Sequence, residues 1–118
     1  MLTQFLIPAL MKSDDARILF LSSSVGREAR AYWGAYSVSK FGIEGFAKTL
    51  SEELEKTNIR VNTINPGKMN TEMRRIAYPA EDSSRIPSPE FKSPAIVYLM
   101  LPENSNIHGQ QLTIAKPD

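Results

Sequence analysis

Residues 18–24 read Ile18-Leu19-Phe20-Leu21-Ser22-Ser23-Ser24: four apolar residues in a row, then three small hydroxyls. A short continuous apolar run of this kind suits a strand buried on both faces. Residues 22–34 are rich in Ser, Gly and charge and read as a loop. From about Ala35 to Lys56 the chain reads as one long helix, with Ile43, Phe46, Ala47, Leu50 and Leu54 at helical spacing. Glu52, Glu53, Glu55 and Lys56 fall mostly on its other side. Ile59 to Asn65 alternates, carries Val and Ile, and reads as a second strand ended by Pro66-Gly67.

Outward from this strand–helix–strand unit the pattern continues. Met1 to Met11 is mostly apolar and reads as an amphipathic helix on the sheet, with Pro8 inside it and Ser13-Asp14-Asp15 after it. That segment lacks the basic start and cleavage site of a signal peptide and is too short to span a bilayer. Thr71 can cap a short helix through Arg75. Residues 78–90, with three prolines and several serines, read as a mobile loop. Ser93-Pro94 predicts a helix start, Ser as N-cap and Pro first, running to about Leu101 before Pro102. Gln110 to Ala115 reads as a last strand. The order α-β-α-β-α-α-β predicts an α/β fold with a parallel sheet.

Composition narrows the function. At 118 residues the chain is one small domain, and 42% hydrophobic residues allow a packed core. A net charge of +1 offers no electrostatic case for nucleic acid or an acidic membrane surface. No cysteine is present, which excludes disulfides and thiolate zinc sites. No residue cluster has metal-ligand spacing, and His108, the single histidine, receives no catalytic or metal role.

The chemistry concentrates in Tyr36-Ser37-Val38-Ser39-Lys40. Tyrosine and lysine four apart on a helix share a face. Ser23 stands thirteen residues upstream of Tyr36. A free phenol, with a pKa of about 10, is a poor base at neutral pH, and a nearby cation favours its phenolate. Lys40 can supply that charge. Ser23 can hydrogen-bond a substrate oxygen. A hydroxyl, a phenol and an ammonium together suit redox chemistry at a carbonyl, with hydride from a cofactor.

The motifs SSSVGR, WGAYSVSKFGIEGF and RVNTINPGKMNTEM resemble the short-chain dehydrogenase/reductases, in particular the YciK-like bacterial oxidoreductases. Tyr-x-x-x-Lys alone is a weak signal. Combined with Ser23 and with Asn65-Pro66-Gly67, twenty-nine residues past Tyr36, it is a strong one. The resemblance covers nearly the whole chain. It implies a Rossmann-type three-layer parallel sheet, of which these residues would be the last three strands with their helices. Ser23 matches the catalytic serine, Tyr36 the acid/base, and Lys40 the lysine that holds the nicotinamide ribose and tunes the tyrosine. Pro66 and Gly67 match the turn beside the nicotinamide. Met69 (through its backbone) and Thr71 match contacts to the carboxamide, and residues 72–92 the substrate loop. The implied cofactor is NAD or NADP, the substrate a small carbonyl or alcohol compound, and the compartment the cytoplasm.

The family's glycine-rich phosphate loop, its cofactor-selecting residue and its Asn-Ala-Gly stretch have no counterpart here, and its catalytic asparagine would fall before Met1. Residues 1–118 are therefore expected to be the carboxy-terminal, catalytic part of one dehydrogenase domain, inactive alone. Its long helix is expected to form a homo-oligomer contact around Phe41, Gly45 and Lys48. The alternative expectation is a non-enzymatic piece that self-associates or complements a partner. Gly42 and Gly45 are expected to allow close helix packing. Arg27, Arg30 and Trp33, between Ser23 and Tyr36, can be read as lining a substrate mouth or as a solvated loop, and the solvated loop is the expectation.

Overall fold

Four β-branched residues, Ile59, Val61, Thr63 and Ile64, give residues 59–65 the character of a strand, and the rest of the fold is assembled on it. The computed structural model describes residues 2–114. Its elements are α1 (Leu2–Leu10), β1 (Ala16–Leu21), α2 (Gly34–Glu53), β2 (Ile59–Asn65), α3 (Glu72–Ala77), α4 (Pro89–Met100) and β3 (Gln111–Thr113), with short 3-10 turns at Ser24–Gly26, Ser83–Arg85 and Pro102–Asn104. β2 is the central strand, pairing in parallel with β1 from Ala16↔Ile59 to Leu21↔Ile64 and with β3 from Thr63↔Gln111 to Asn65↔Thr113. The expected α/β architecture and element order are present.

Alternate residues of a strand face opposite sides of the sheet. Ile59 and Val61, both fully buried, meet Ala16, Ala47, Leu50 and Leu54 on the side covered by α2. Ile7 and Leu10 of α1 and Ile18 and Phe20 of β1 pack around this cluster. Ile64 turns the other way, toward Ala95, Tyr98 and Leu99 of α4. Helices thus lie on both faces of the sheet.

Several local expectations are corrected. β1 is not buried on both faces: Ala16 is buried, Arg17 to Phe20 are half-buried and Leu21 is exposed. Only β2 pairs with it, so its other edge lacks a strand among the described residues. α4 begins at Pro89 after Ser88, not at Ser93-Pro94. Pro is tolerated in a helix's first turn because the N–H it lacks has no intrahelical partner there; Pro89 uses this freedom, and Pro94 follows inside the helix. The Ser93 hydroxyl donates to Glu90 O at 2.8 Å instead of capping. Gly42 and Gly45 have no packing partner among the described residues; a Cβ at either would find open space. Phe46 is partly exposed and meets Phe20 edge to face. Of the last predicted strand, 111–113 is strand and Ala115 lies outside the described residues.

Truncating Ile59 to Ala should lower the unfolding free energy by about 3 kcal/mol, because a fully enclosed side chain leaves a cavity. Val38→Ala, on the exposed face of α2, should change it by less than about 0.5 kcal/mol. Urea denaturation followed by circular dichroism measures both.

Candidate functional site

β1 and β2 run parallel, so their carboxyl ends open onto the same edge of the sheet, which is where open α/β sheets bind ligands. Ser22 N–H donates to Ile64 O at 2.8 Å, which holds the Ser22–Ser24 loop beside the end of β2. Ser23 then caps the first 3-10 turn: its Oγ accepts from Val25 N–H at 3.3 Å, leaving its own O–H free to donate. Ser22 is buried and Ser24 exposed.

α2 brings Tyr36 and Lys40 to this loop. Lys40 Nζ donates to Leu21 O at 2.9 Å and lies 5.7 Å from the centre of the Tyr36 ring. Ser37, buried between them, donates to Val25 O at 3.2 Å. Gly26 packs so tightly that a Cβ there would come within 2.9 Å of Lys40 Cβ, Lys40 O and Ser22 Oγ. The loop and the helix are thus in contact at Ser37, Gly26 and Lys40. From β2, Asn65 Oδ1 accepts from Gly67 N–H at 3.0 Å and closes the Pro66-Gly67 turn, with Gly67 in the left-handed region at φ 71°. Thr71 caps α3, its Oγ1 accepting from Arg74 N–H at 3.3 Å. The carbonyl of Met69 accepts from Thr71 N–H at 2.9 Å.

Two groups of residues escaped the sequence reading. Arg27 is no solvated loop residue. Its Nε donates to Glu44 Oε1 at 2.8 Å, and its other nitrogens reach Thr113 Oγ1 at 2.8 Å and Leu112 O at 2.9 Å. Glu44 Oε2 also accepts from Thr63 Oγ1 at 2.7 Å and from Gln111 Nε2 at 2.9 Å. Burial pushes the Glu44 carboxyl up, but Ser22, Thr63 and Arg27 outweigh it and hold the carboxyl below the ordinary carboxylate range. Ser22 Oγ forms no well-shaped hydrogen bond, yet lies near enough to favour the charged form. The signal was available: Glu44 lies one turn past Lys40 and three residues before Ala47, on the core-facing stripe of α2, where a charge must find a partner.

The second group is aromatic. Trp33 meets Tyr36 at 5.7 Å between ring centres, nearly edge to face, and Tyr78 at 5.9 Å with a 31° tilt. Arg74 stacks on Tyr78 at 4.4 Å and makes two bonds to Glu81, at 2.7 and 2.9 Å. The expected loop at 78–90 is tied down at Glu81 and at Ser83, whose carbonyl accepts from Asn70 Nδ2 at 3.0 Å.

This arrangement, a serine loop meeting a Tyr-x-x-x-Lys helix beside an Asn-Pro-Gly turn, has a family. The model for short chain dehydrogenases matches residues 1–82. The chain belongs to the short-chain dehydrogenases. It is 48% identical over 100 residues to the oxidoreductase YciK of Escherichia coli, covering 85% of this chain and 39% of that protein. It is 34% identical to the 3-oxoacyl-acyl-carrier-protein reductase FabG of Thermotoga maritima, over 95% of this chain and 49% of that one. A short-chain dehydrogenase structure from Pseudomonas syringae superposes with a TM-score of 0.91 at 52% identity, and one from Escherichia coli in complex with NADPH with 0.91 at 43%. Each alignment covers 95% of this chain and 46% of the other. The chain spans about half the length of the curated relatives it matches.

Glu44→Ala should cost about 3 kcal/mol of stability, since it leaves the Arg27 guanidinium without its carboxylate; chemical denaturation checks it. Glu81 is held to about 2 by its hydrogen bond to Arg74, below the ordinary 4.5. Its contribution to holding α3 is therefore complete above about pH 4.5 and lost as the pH falls through about 2. Trp33 emission should change across that window, and Glu81→Gln should remove the change.

Proposed function

We propose that the chain is the catalytic, carboxy-terminal half of an NAD(P)-dependent dehydrogenase/reductase that interconverts a carbonyl compound and its alcohol, and that it does not turn over substrate alone. The observation that carries this is the contact of the Ser23 loop with the Tyr36–Lys40 helix, within a chain of this family. The unpaired edge of β1 supports the half-domain reading, because a preceding strand would pair there.

The residues at hand suit a nicotinamide dinucleotide. Lys40 spends one of its three donors on Leu21 O and keeps two for ribose hydroxyls. Thr71 accepts from Arg74 N–H and retains its O–H for a carboxamide. Pro66 and Gly67 present a closed turn beside them, and Met69 contributes its backbone. The bound cofactor supplies or takes up the hydride. Ser23 donates its free hydroxyl hydrogen to the substrate oxygen and orients it. Tyr36 gives a proton to that oxygen in reduction and takes it back in oxidation. Lys40 keeps a positive charge beside the phenol through both steps.

The same reading includes a homo-oligomer through the outer face of α2. Phe41 and Val38 are exposed there, Gly45 has open space beside it, and Lys48 reaches solvent. It also places the enzyme in the cytoplasm; no helix of the described residues is long and apolar enough to cross a membrane.

Calorimetry with NADPH should show no saturable binding to the 118-residue chain and clear binding once an amino-terminal dinucleotide-binding half is joined to it. In that joined protein Tyr36→Phe should lower kcat by at least about a thousandfold, leaving the circular-dichroism spectrum unchanged. Retained turnover in Tyr36→Phe would overturn the acid/base assignment.

A further inference from the structure

α4 crosses the sheet from its carboxyl edge to its amino edge. Past its far end, Leu101 O accepts from Arg17 Nη2 at 3.4 Å, near the start of β1. At its near end, Lys92 lies beside the Pro66-Gly67 turn that follows β2. The carboxyl edge is where open α/β sheets take their ligands, and the amino end of a helix there favours negative charge. Pro89 opens α4, and Lys92 stands in its first turn.

Lys92 is only 3% exposed, and a lysine is almost never so enclosed without a partner. The other cations of this region are answered: Lys68 and Arg74 by Glu81, Arg85 by Asp82. Lys92 makes neither an ion pair nor a hydrogen bond among the described residues. Glu90, the acidic residue of the same first turn, is exposed and does not pair with it. The Lys92 ammonium reaches toward Gly67 instead. A Cβ built on Gly67 would lie 4.0 Å from Lys92 Nζ and, its chain neighbours aside, would meet no other atom within that distance. Gly67 is exposed, and its N–H is taken by Asn65 Oδ1 at 3.0 Å. Next in the turn, Lys68 N–H has no acceptor among the described residues. A buried ammonium thus faces open space beside a free backbone donor.

We propose that Lys92 and the Pro66-Gly67 turn form a binding site for a small oxyanion, a phosphate group that is either free or the end of a phosphomonoester. An ammonium taken out of water is costly while it stays unpaired. A phosphate oxygen offsets that cost through a charge-assisted hydrogen bond. Lysine suits the task, being a compact point charge with three donors. The site goes beyond the oxidoreductase reading. It uses none of Ser23, Tyr36 and Lys40, so its binding is measured on this chain by itself, whether or not a joined protein turns over substrate. Once occupied, it ties the start of α4 to the turn after β2 through the shared anion.

The chain has six glycines, so nitrogen-15 labelling of glycine alone gives a simple amide spectrum in which Gly67 reports the site. Sodium phosphate and glycerol 3-phosphate are titrated separately at neutral pH and constant ionic strength, so that screening does not change. Gly67 should shift saturably, with a Kd of about 1 mM, and Gly109, before β3, should not move. Equal saturation by the two probes assigns a free phosphate; saturation by glycerol 3-phosphate at about tenfold lower concentration assigns a phosphomonoester. Lys92→Met should weaken binding at least about tenfold, and Lys56→Met, at an exposed lysine, should leave it unchanged. In phosphate-free buffer Lys92→Met should melt no lower than the parent chain, because an unpaired buried charge gives way to an apolar side chain of similar length. Three results would overturn the site: no saturable shift at Gly67, a shift that persists in Lys92→Met, or a lower melting temperature for Lys92→Met without phosphate, which would mean that Lys92 is already answered within the chain.

Discussion

A single buried carboxylate governs how the pieces of this chain are joined. Glu44 sits on the inward face of the long helix, and an ionised carboxylate cannot stay there without partners. It finds them on three other elements: Arg27 beyond β1, Thr63 on β2 and Gln111 on β3. Arg27 extends the network to Thr113 and Leu112. Because hydrogen bonds to charged groups are directional and stronger than neutral ones, these contacts set register as well as proximity. The helix cannot slide along the sheet without breaking several at once. Lys40 and Tyr36 ride one and two turns upstream on the same rigid helix, so their placement against the serine loop follows from this anchor.

The chain therefore divides into two mechanical parts. One is the sheet with α2, held by the Ile59–Val61–Leu50 cluster and the Glu44 network. The other is the segment around α3, held mainly by part-buried and exposed polar bonds centred on Glu81 and by one aromatic contact. Exposed ion pairs contribute little stability each, whereas the buried cluster is the larger reservoir. Such a contrast places the segment around α3 at the low-stability end of the molecule and the sheet with α2 at the rigid end. The outer edge of β1 and the exposed apolar residues of α1 and α2 are surfaces without a partner among the described residues.

Much of this was legible in the residues. β2 was read with the bounds it has, because β-branched residues followed by Pro-Gly leave little choice. The Ser23, Tyr36 and Lys40 constellation was legible because helical periodicity puts two of its members on one face. Less legible were elements whose boundaries turn on competing signals. Ser88-Pro89 and Ser93-Pro94 are both acceptable helix starts, and only the first is used. β1 reads as doubly buried by its apolar run, but burial depends on neighbours, and one edge and part of its faces have none among the described residues.

The sequence by itself determined what could be decided within one element: strand and helix types, the alternation that turns Ile59 and Val61 to one side, and the spacing of the tyrosine and lysine. These depend on backbone geometry and residues a few positions apart. Only the tertiary structure decided which distant groups meet. Arg27 and Glu44 are seventeen residues apart, and Trp33 and Tyr78 forty-five. Nothing in local propensity distinguishes a solvated arginine from one that closes a buried network, or a surface tryptophan from one that packs against two tyrosines. Those fates were set by how the chain closes its loops over the sheet, where pairing of charge and contact of rings offset the entropy of bringing them together.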